Sequence, residues 1–124
     1  MGSTPSIPRR PLILCIDDDE IVLRIRKLLI SGAGYEVMTA ESGETGLALF
    51  KDHPIDLVIS DHFLSGSNGN EIARAMKAIK PGVPILIASG SAGPASLECA
   101  DGFVSKGEPP SELLKAIAEL LSGR

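Results

Sequence analysis

From Leu12 to Leu121 short apolar runs alternate with amphipathic stretches, with no internal repeat and no low-complexity linker. That alternation restricts the chain to βαβ units around a parallel sheet. Strands are predicted at 12–16, 36–39, 56–60, 85–89 and 103–105. The first, third and fourth are nearly continuous apolar runs, as strands covered on both faces must be. The mixed Glu36-Val37-Met38-Thr39 suits a sheet edge.

The intervening stretches have helical periodicity. Ile21, Ile25, Leu28 and Leu29 share one face of a helix over about 19–31. Ser42 caps a second helix over 44–51, with Leu47 and Phe50 inward. Ile72, Met76 and Ile79 mark a third after Gly69, and Leu113, Ile117, Leu120 and Leu121 mark the last. Gly32 with Gly34, then Pro54, then Pro81 with Gly82 end the first three helices. Residues 90–101 contain Gly90, Gly93 and Pro94, leaving room for a short helix at most. The Pro-rich residues 1–11 read as a flexible leader outside the fold and 122–124 as a tail, so 12–121 is one domain.

Composition removes several classes of function. With 124 residues there is room for one core, and 44% hydrophobic against 23% charged residues is enough to build it. No apolar run approaches a bilayer span. Twelve Lys and Arg against sixteen Asp and Glu, a net charge of −4, argue against direct nucleic-acid binding. Aromatics are 3% and Trp is absent, so stacking platforms lack material. Cys15 and Cys99 fit a reduced, cytoplasmic chain, with Cys15 a small core hydrophobe.

In a doubly wound sheet ligands bind beyond the carboxyl ends of the strands, at the switch in strand order. Each predicted strand but the second releases a polar group there. Asp17, Asp18 and Asp19 follow the first, Asp61 the third, Ser89 ends the fourth and Lys106 follows the fifth. Asp17, Asp18 and Asp61 packed together would carry three negative charges and repel unless cations intervene, and Mg²⁺ with the Lys106 ammonium would neutralise them. A carboxylate so placed can attack phosphorus, giving an aspartyl phosphate, with Mg²⁺, Lys106 and the Ser89 hydroxyl on the phosphoryl oxygens.

Leu-Cys-Ile-Asp-Asp-Asp at 14–19, Leu-Val-Ile-Ser-Asp at 57–61, Ile-Leu-Ile-Ala-Ser at 85–89 and Gly-Phe-Val-Ser-Lys at 102–106 resemble the receiver domains of two-component response regulators, including the single-domain chemotaxis type. The resemblance spans about 12–121. It implies a flavodoxin-like five-stranded sheet of order 2-1-3-4-5, with Asp61 as phospho-acceptor. By the same resemblance Mg²⁺ is held by Asp18, Asp61 and the Phe63 main-chain carbonyl, with Asp17 acting partly through water, and Ser89 and Phe103 form the switch. The implied partners are a sensor histidine kinase or phosphotransfer protein and a downstream protein target.

Three departures from the family pattern carry expectations. Ser65 stands where the family usually has proline. Gly107 follows the lysine where proline with a cis bond is usual, so the Lys106–Gly107 peptide should be trans, with Gly107 supplying unusual backbone angles. The span from Ser89 to Lys106 is short by roughly one helical turn. A truncated fourth helix and a remodelled partner face follow, with output through the loop, the last helix or a homodimer.

Each feature also has a plainer meaning. Asp17 to Glu20 alone would be an acidic helix N-terminus, Lys106 a solvated lysine and Ser89 a turn residue; their convergence carries the functional reading. His53 and His62 are read as structural. Gly32-Ala33-Gly34 follows a helix rather than a strand and is no dinucleotide fingerprint. The enzyme alternative is a haloacid-dehalogenase-like phosphatase using Asp17 and Asp19, but after Lys106 only isolated Glu108, Glu112 and Glu119 remain where it needs an acidic pair. The other alternative is a degenerate receiver that acts only by docking.

Overall fold

The structure is a computed structural model that describes residues 9–64, 67–90 and 100–123. Its elements run β1 (Leu12–Ile16), α1 (Glu20–Gly32), β2 (Glu36–Ala40), α2 (Gly43–Asp52), β3 (Leu57–Asp61), β4 (Phe63–Leu64), β5 (Ser67–Asn68), α3 (Gly69–Ile79), β6 (Ile85–Ser89), β7 (Gly102–Ser105) and α4 (Pro110–Ser122). Five strands form one parallel sheet in the order β2-β1-β3-β6-β7. Counting only those strands, this is the expected 2-1-3-4-5. β4 and β5 form a separate antiparallel pair, which two-residue strands are too short to announce by periodicity.

Alternate residues of each strand go to opposite faces, which divides the core in two. Leu14, Ile16, Val58, Ile85 and Ile87 pack with Phe50 of α2 and Ile72, Ala73 and Met76 of α3. Ile13, Cys15, Leu57, Ile59, Leu86 and Ala88 pack with Leu23 and Ile30 of α1 and Leu113 and Ile117 of α4. Both faces of the sheet are therefore dry, and polar groups can leave the strands only at their ends. α2 lies so close to β1 that a Cβ on Gly46 would sit 2.5 Å from Ile16 Cδ1.

The helix ends follow the local chemistry. The Asp19 side chain accepts from the Ile21 and Val22 amides, and the Ser42 hydroxyl accepts from the Thr45 amide. Beyond α1, Gly34 takes φ +102°, which a side chain would resist. Ahead of β1, the Pro11 carbonyl accepts from the Glu36 amide at 3.0 Å, and Arg9 pairs with Asp56 at 3.4 Å.

One expectation needs correction. Of the predicted stripe of Ile21, Ile25, Leu28 and Leu29, the first three face outward, at 68%, 59% and 77% exposure, and Leu29 alone is partly buried. The inward face of α1 is instead Leu23, Arg26 and Ile30, with Val22 and Leu29 beside it. Val22 and Leu29, like Leu23 and Ile30, are seven residues apart, so they define an apolar stripe of equal quality rotated around the helix. A wide apolar face gives periodicity no means of choosing between the two, and Arg26 at its centre disguises the true one. The expected truncated fourth helix falls on 91–99, and Ser65 likewise lies outside the described residues.

Candidate functional site

The parallel register aligns the carboxyl ends of the strands. Ile16 of β1 lies opposite Ser60 of β3, Asp61 opposite Ala88 of β6, and Ser89 opposite Ser105 of β7. Asp17, Asp61, Ser89 and Lys106 therefore reach one edge of the sheet although they span most of the chain. Main-chain bonds extend the ladder one step further: the Asp17 amide donates to the Ala40 carbonyl at 3.1 Å and the Lys106 amide to the Ser89 carbonyl at 2.9 Å.

Carboxylate oxygens of Asp17, Asp18 and Asp61 all lie within 4.8 Å of one another. Asp17 is fully buried, Asp61 nearly so, and Asp18 is exposed. The Lys106 ammonium bridges two of them, 3.0 Å from Asp17 Oδ2 and 3.1 Å from Asp61 Oδ2. The other Asp17 oxygen, Oδ1, accepts from the Asp19 amide at 2.9 Å. Asp17 thus has a partner on each oxygen, which is how a buried carboxylate is stabilised. Partial burial pulls the Lys106 pKa down, but its hydrogen bonds to Asp17 and Asp61 and their negative charges outweigh this and leave it raised.

Lys106 is aimed by its turn. The expected trans geometry at Lys106–Gly107 is found, since the described residues contain no cis peptide bond. Gly107 does not use the unusual angles expected of it, for Gly34 alone among the described glycines has positive φ. The turn is held by hydrogen bonds instead: the Ser105 amide donates to Glu108 Oε1, the Glu108 amide to the Ser105 carbonyl and the Gly107 amide to Ser105 Oγ.

Ser89 is buried at the end of β6. Phe103, opposite Ile87 in the register, is half-buried against the core under α2 and α3. Phe63 opens β4 two residues after Asp61, which puts its carbonyl in the segment leaving the acidic cluster. His53 is the C-cap of α2, and its carbonyl accepts from Lys80. The Cys15 thiol is pushed up to about 12, chiefly by burial, so it stays protonated and inert.

The residue missed by sequence reasoning is Arg26. Its side chain is 9% exposed, and its guanidinium lies 3.6 Å from Asp17 Oδ2. The available signal was a charged residue at the centre of the Val22, Leu23, Leu29 and Ile30 stripe.

Oxygen donors of net negative charge, gathered at a strand-end edge, are the donor type that Mg²⁺ prefers, and the three carboxylates here fit such an ion. No helix among the described residues is long and apolar enough to cross a membrane.

Residues 13–118 match the family model described as the response regulator receiver domain. The chain is 36% identical over 75 residues to the transcriptional regulatory protein GlrR of Escherichia coli, an alignment covering 60% of this chain and 17% of that protein. The chain thus spans only a small part of that curated relative. Among solved structures, a CheY-like receiver domain protein from Methanospirillum hungatei superposes with a TM-score of 0.86 at 28% identity, covering 92% of this chain and 95% of that one. The response regulator TrrA of Thermotoga maritima, solved in complex with Mg²⁺-BeF, gives 0.84 at 31% identity, covering 90% and 99%. With the fold, the strand-end carboxylates and the family match in agreement, the chain belongs to the response regulator receiver domain family.

Proposed function

We propose that the domain accepts a phosphoryl group on Asp61 from a phosphohistidine on a sensor histidine kinase or phosphotransfer protein, and that the phosphorylated form alters binding to a downstream protein target. The observation that carries this is the Lys106 ammonium shared between Asp17 and Asp61 beside Asp18. The donor's N–P bond breaks as the bond from an Asp61 oxygen to phosphorus forms, and the imidazole leaves. Lys106 holds a positive charge where the phosphoryl oxygens arrive, and the Ser89 hydroxyl supplies a second contact. Mg²⁺, held by Asp18, Asp61 and the Phe63 carbonyl with Asp17 behind them, would supply the remaining charge neutralisation. The reaction is a signalling event rather than turnover of a substrate, and we place it in the cytoplasm.

The geometry disfavours the phosphatase alternative, in which Asp17 would be the nucleophile. Asp17 is fully buried, one oxygen is held by the Asp19 amide and the other faces Lys106 and Arg26. Asp61 is the less enclosed of the two. Ile21, Ile25 and Leu28 are exposed on α1, the helix that follows Asp17 and Asp18, and exposed apolar side chains there suit the docking of a protein donor.

Labelling with acetyl phosphate and Mg²⁺ tests the proposal. The wild type should form an acid-stable, base-labile acyl phosphate and Asp61→Asn none. Normal labelling of Asp61→Asn together with loss in Asp17→Asn would return the phosphatase reading to the front.

A further inference from the structure

The acidic centre contains a second cation that the phosphoryl chemistry above does not use. We infer that Arg26 is a resident counter-cation that sets the Mg²⁺ affinity of the site, opposing metal binding through its charge on Asp17; this rests on the phospho-acceptor reading and deepens it.

Each Asp17 oxygen already accepts a hydrogen bond without Arg26. Its Oδ1 accepts from the Asp19 amide at 2.9 Å and its Oδ2 from Lys106 at 3.0 Å. Arg26 Nη1 approaches Oδ2 only to 3.6 Å, beyond hydrogen-bonding distance, and this buried nitrogen has no hydrogen-bond partner among the described residues. A buried guanidinium nitrogen without such a bond is costly. What it contributes in return is a positive charge beside Asp17.

The packing holds it there. Arg26 extends from the inward face of α1 and lines a cavity of about 210 Å³ with Val22, Leu29, Val104, Lys106 and Leu113. Arg26 is itself buried among these mostly apolar side chains, so its charge acts on Asp17 with less screening than a surface pair would have. Three carboxylates against Lys106 and Arg26 leave one net negative charge at the centre. Without Arg26 the same cluster would carry two. The site is thereby close to neutral before any ion arrives, and a divalent cation must bind against a fixed positive neighbour.

Titration calorimetry of the full chain with MgCl₂ tests this. Arg26→Leu, which fits the apolar wall, should bind Mg²⁺ about tenfold more tightly or better, as loss of one unit charge a few ångströms away requires. Arg26→Lys, which keeps the charge, should stay within about threefold of the wild type, a change of less than about 1 kcal/mol. Arg26→Gln is the second neutral variant should leucine compromise folding, with circular dichroism reporting the fold of each. In the wild type itself, the Arg26 Nε–H resonance should move during the same titration. A folded neutral variant with unchanged or weaker Mg²⁺ binding would overturn the inference, as would a stationary Arg26 resonance while Asp17 and Asp18 respond. Failure of the underlying reading looks different: the wild type would then bind no Mg²⁺ and Asp61 would take no label.

Discussion

Lys106 lies 3.0 Å from Asp17, although β7 and β1, the strands that release them, are separated in the sheet by β6 and β3. The lysine side chain spans the strand ends and passes Asp61 on the way, at 3.1 Å. The contact therefore links the outer strand β7 to the inner strand β1 past the carboxylate proposed to receive the phosphoryl group.

This contact predicts a pH dependence of stability. Folding raises the Lys106 pKa above the ordinary lysine value of 10.5, so its contribution is fully present below that value and is lost as pH climbs through the raised one. Lys106→Met should be less stable than the wild type by about 1–2 kcal/mol at pH 7, since Asp17 keeps its other partners. In urea unfolding, the gap between the two proteins should be constant through neutral pH and narrow above about pH 10. A gap that is flat to pH 12 would contradict it.

Metal should act on stability as well as on labelling. An ion that binds the folded site and not the unfolded chain stabilises by about 2.7 kcal/mol at a hundred times its dissociation constant. Mg²⁺ should therefore raise the melting temperature of the wild type, and chelation should remove both that increment and acetyl phosphate labelling. Asp18→Asn should reduce the increment. Melting curves that superpose with and without Mg²⁺ would argue against a site at these carboxylates.

Phosphorylation should be felt at the far side of the edge. Ser89 is buried at the end of β6, and β7 carries Phe103 in register with Ile87 and Ser105 in register with Ser89. A shift of the Ser89 hydroxyl toward the phosphoryl group would thus be transmitted to β7 and Phe103. Amide spectra with and without beryllofluoride should differ at residue 89 and across 103–106. Unchanged positions there would rule out this switch.

Three glycines should respond differently to alanine. Gly107→Ala should be neutral or mildly stabilising, by up to about 1 kcal/mol, because Gly107 lacks positive φ and an added Cβ would meet only Ser105 Oγ, at 3.8 Å. Gly34→Ala should cost about 1–2 kcal/mol, since φ is +102°. Gly46→Ala should cost about 1–3 kcal/mol through overpacking, as its Cβ would fall 2.5 Å from Ile16 Cδ1. Chemical denaturation of the three variants would show the order.

Local periodicity and strand-end position were enough to read the five strands, their sheet order by family resemblance, and the residues Asp17, Asp18, Asp61, Ser89 and Lys106. Apolar runs such as Leu12–Ile16 and Ile85–Ser89 have one comfortable place, inside a covered sheet. A polar residue directly after such a run must emerge at the sheet edge, and a parallel topology brings all those edges together. That inference needs no side-chain coordinates.

Tertiary packing decided the rest. The chain offers two apolar stripes on α1, and only docking against β1 and β2 selects the one containing Arg26 while leaving Ile21, Ile25 and Leu28 in solvent. The sharing of Lys106 between Asp17 and Asp61 depends on distances between elements far apart in sequence, and the approach of Arg26 to Asp17 depends on how α1 packs back against the sheet. The hydrogen-bonded turn that aims Lys106 without a left-handed glycine is equally invisible in residue types, because Ser105 and Glu108 have many other partners open to them. Residue order determines which groups arrive at the site, since periodicity is a local property; which charges touch is set by the three-dimensional closure of the sheet and its helices.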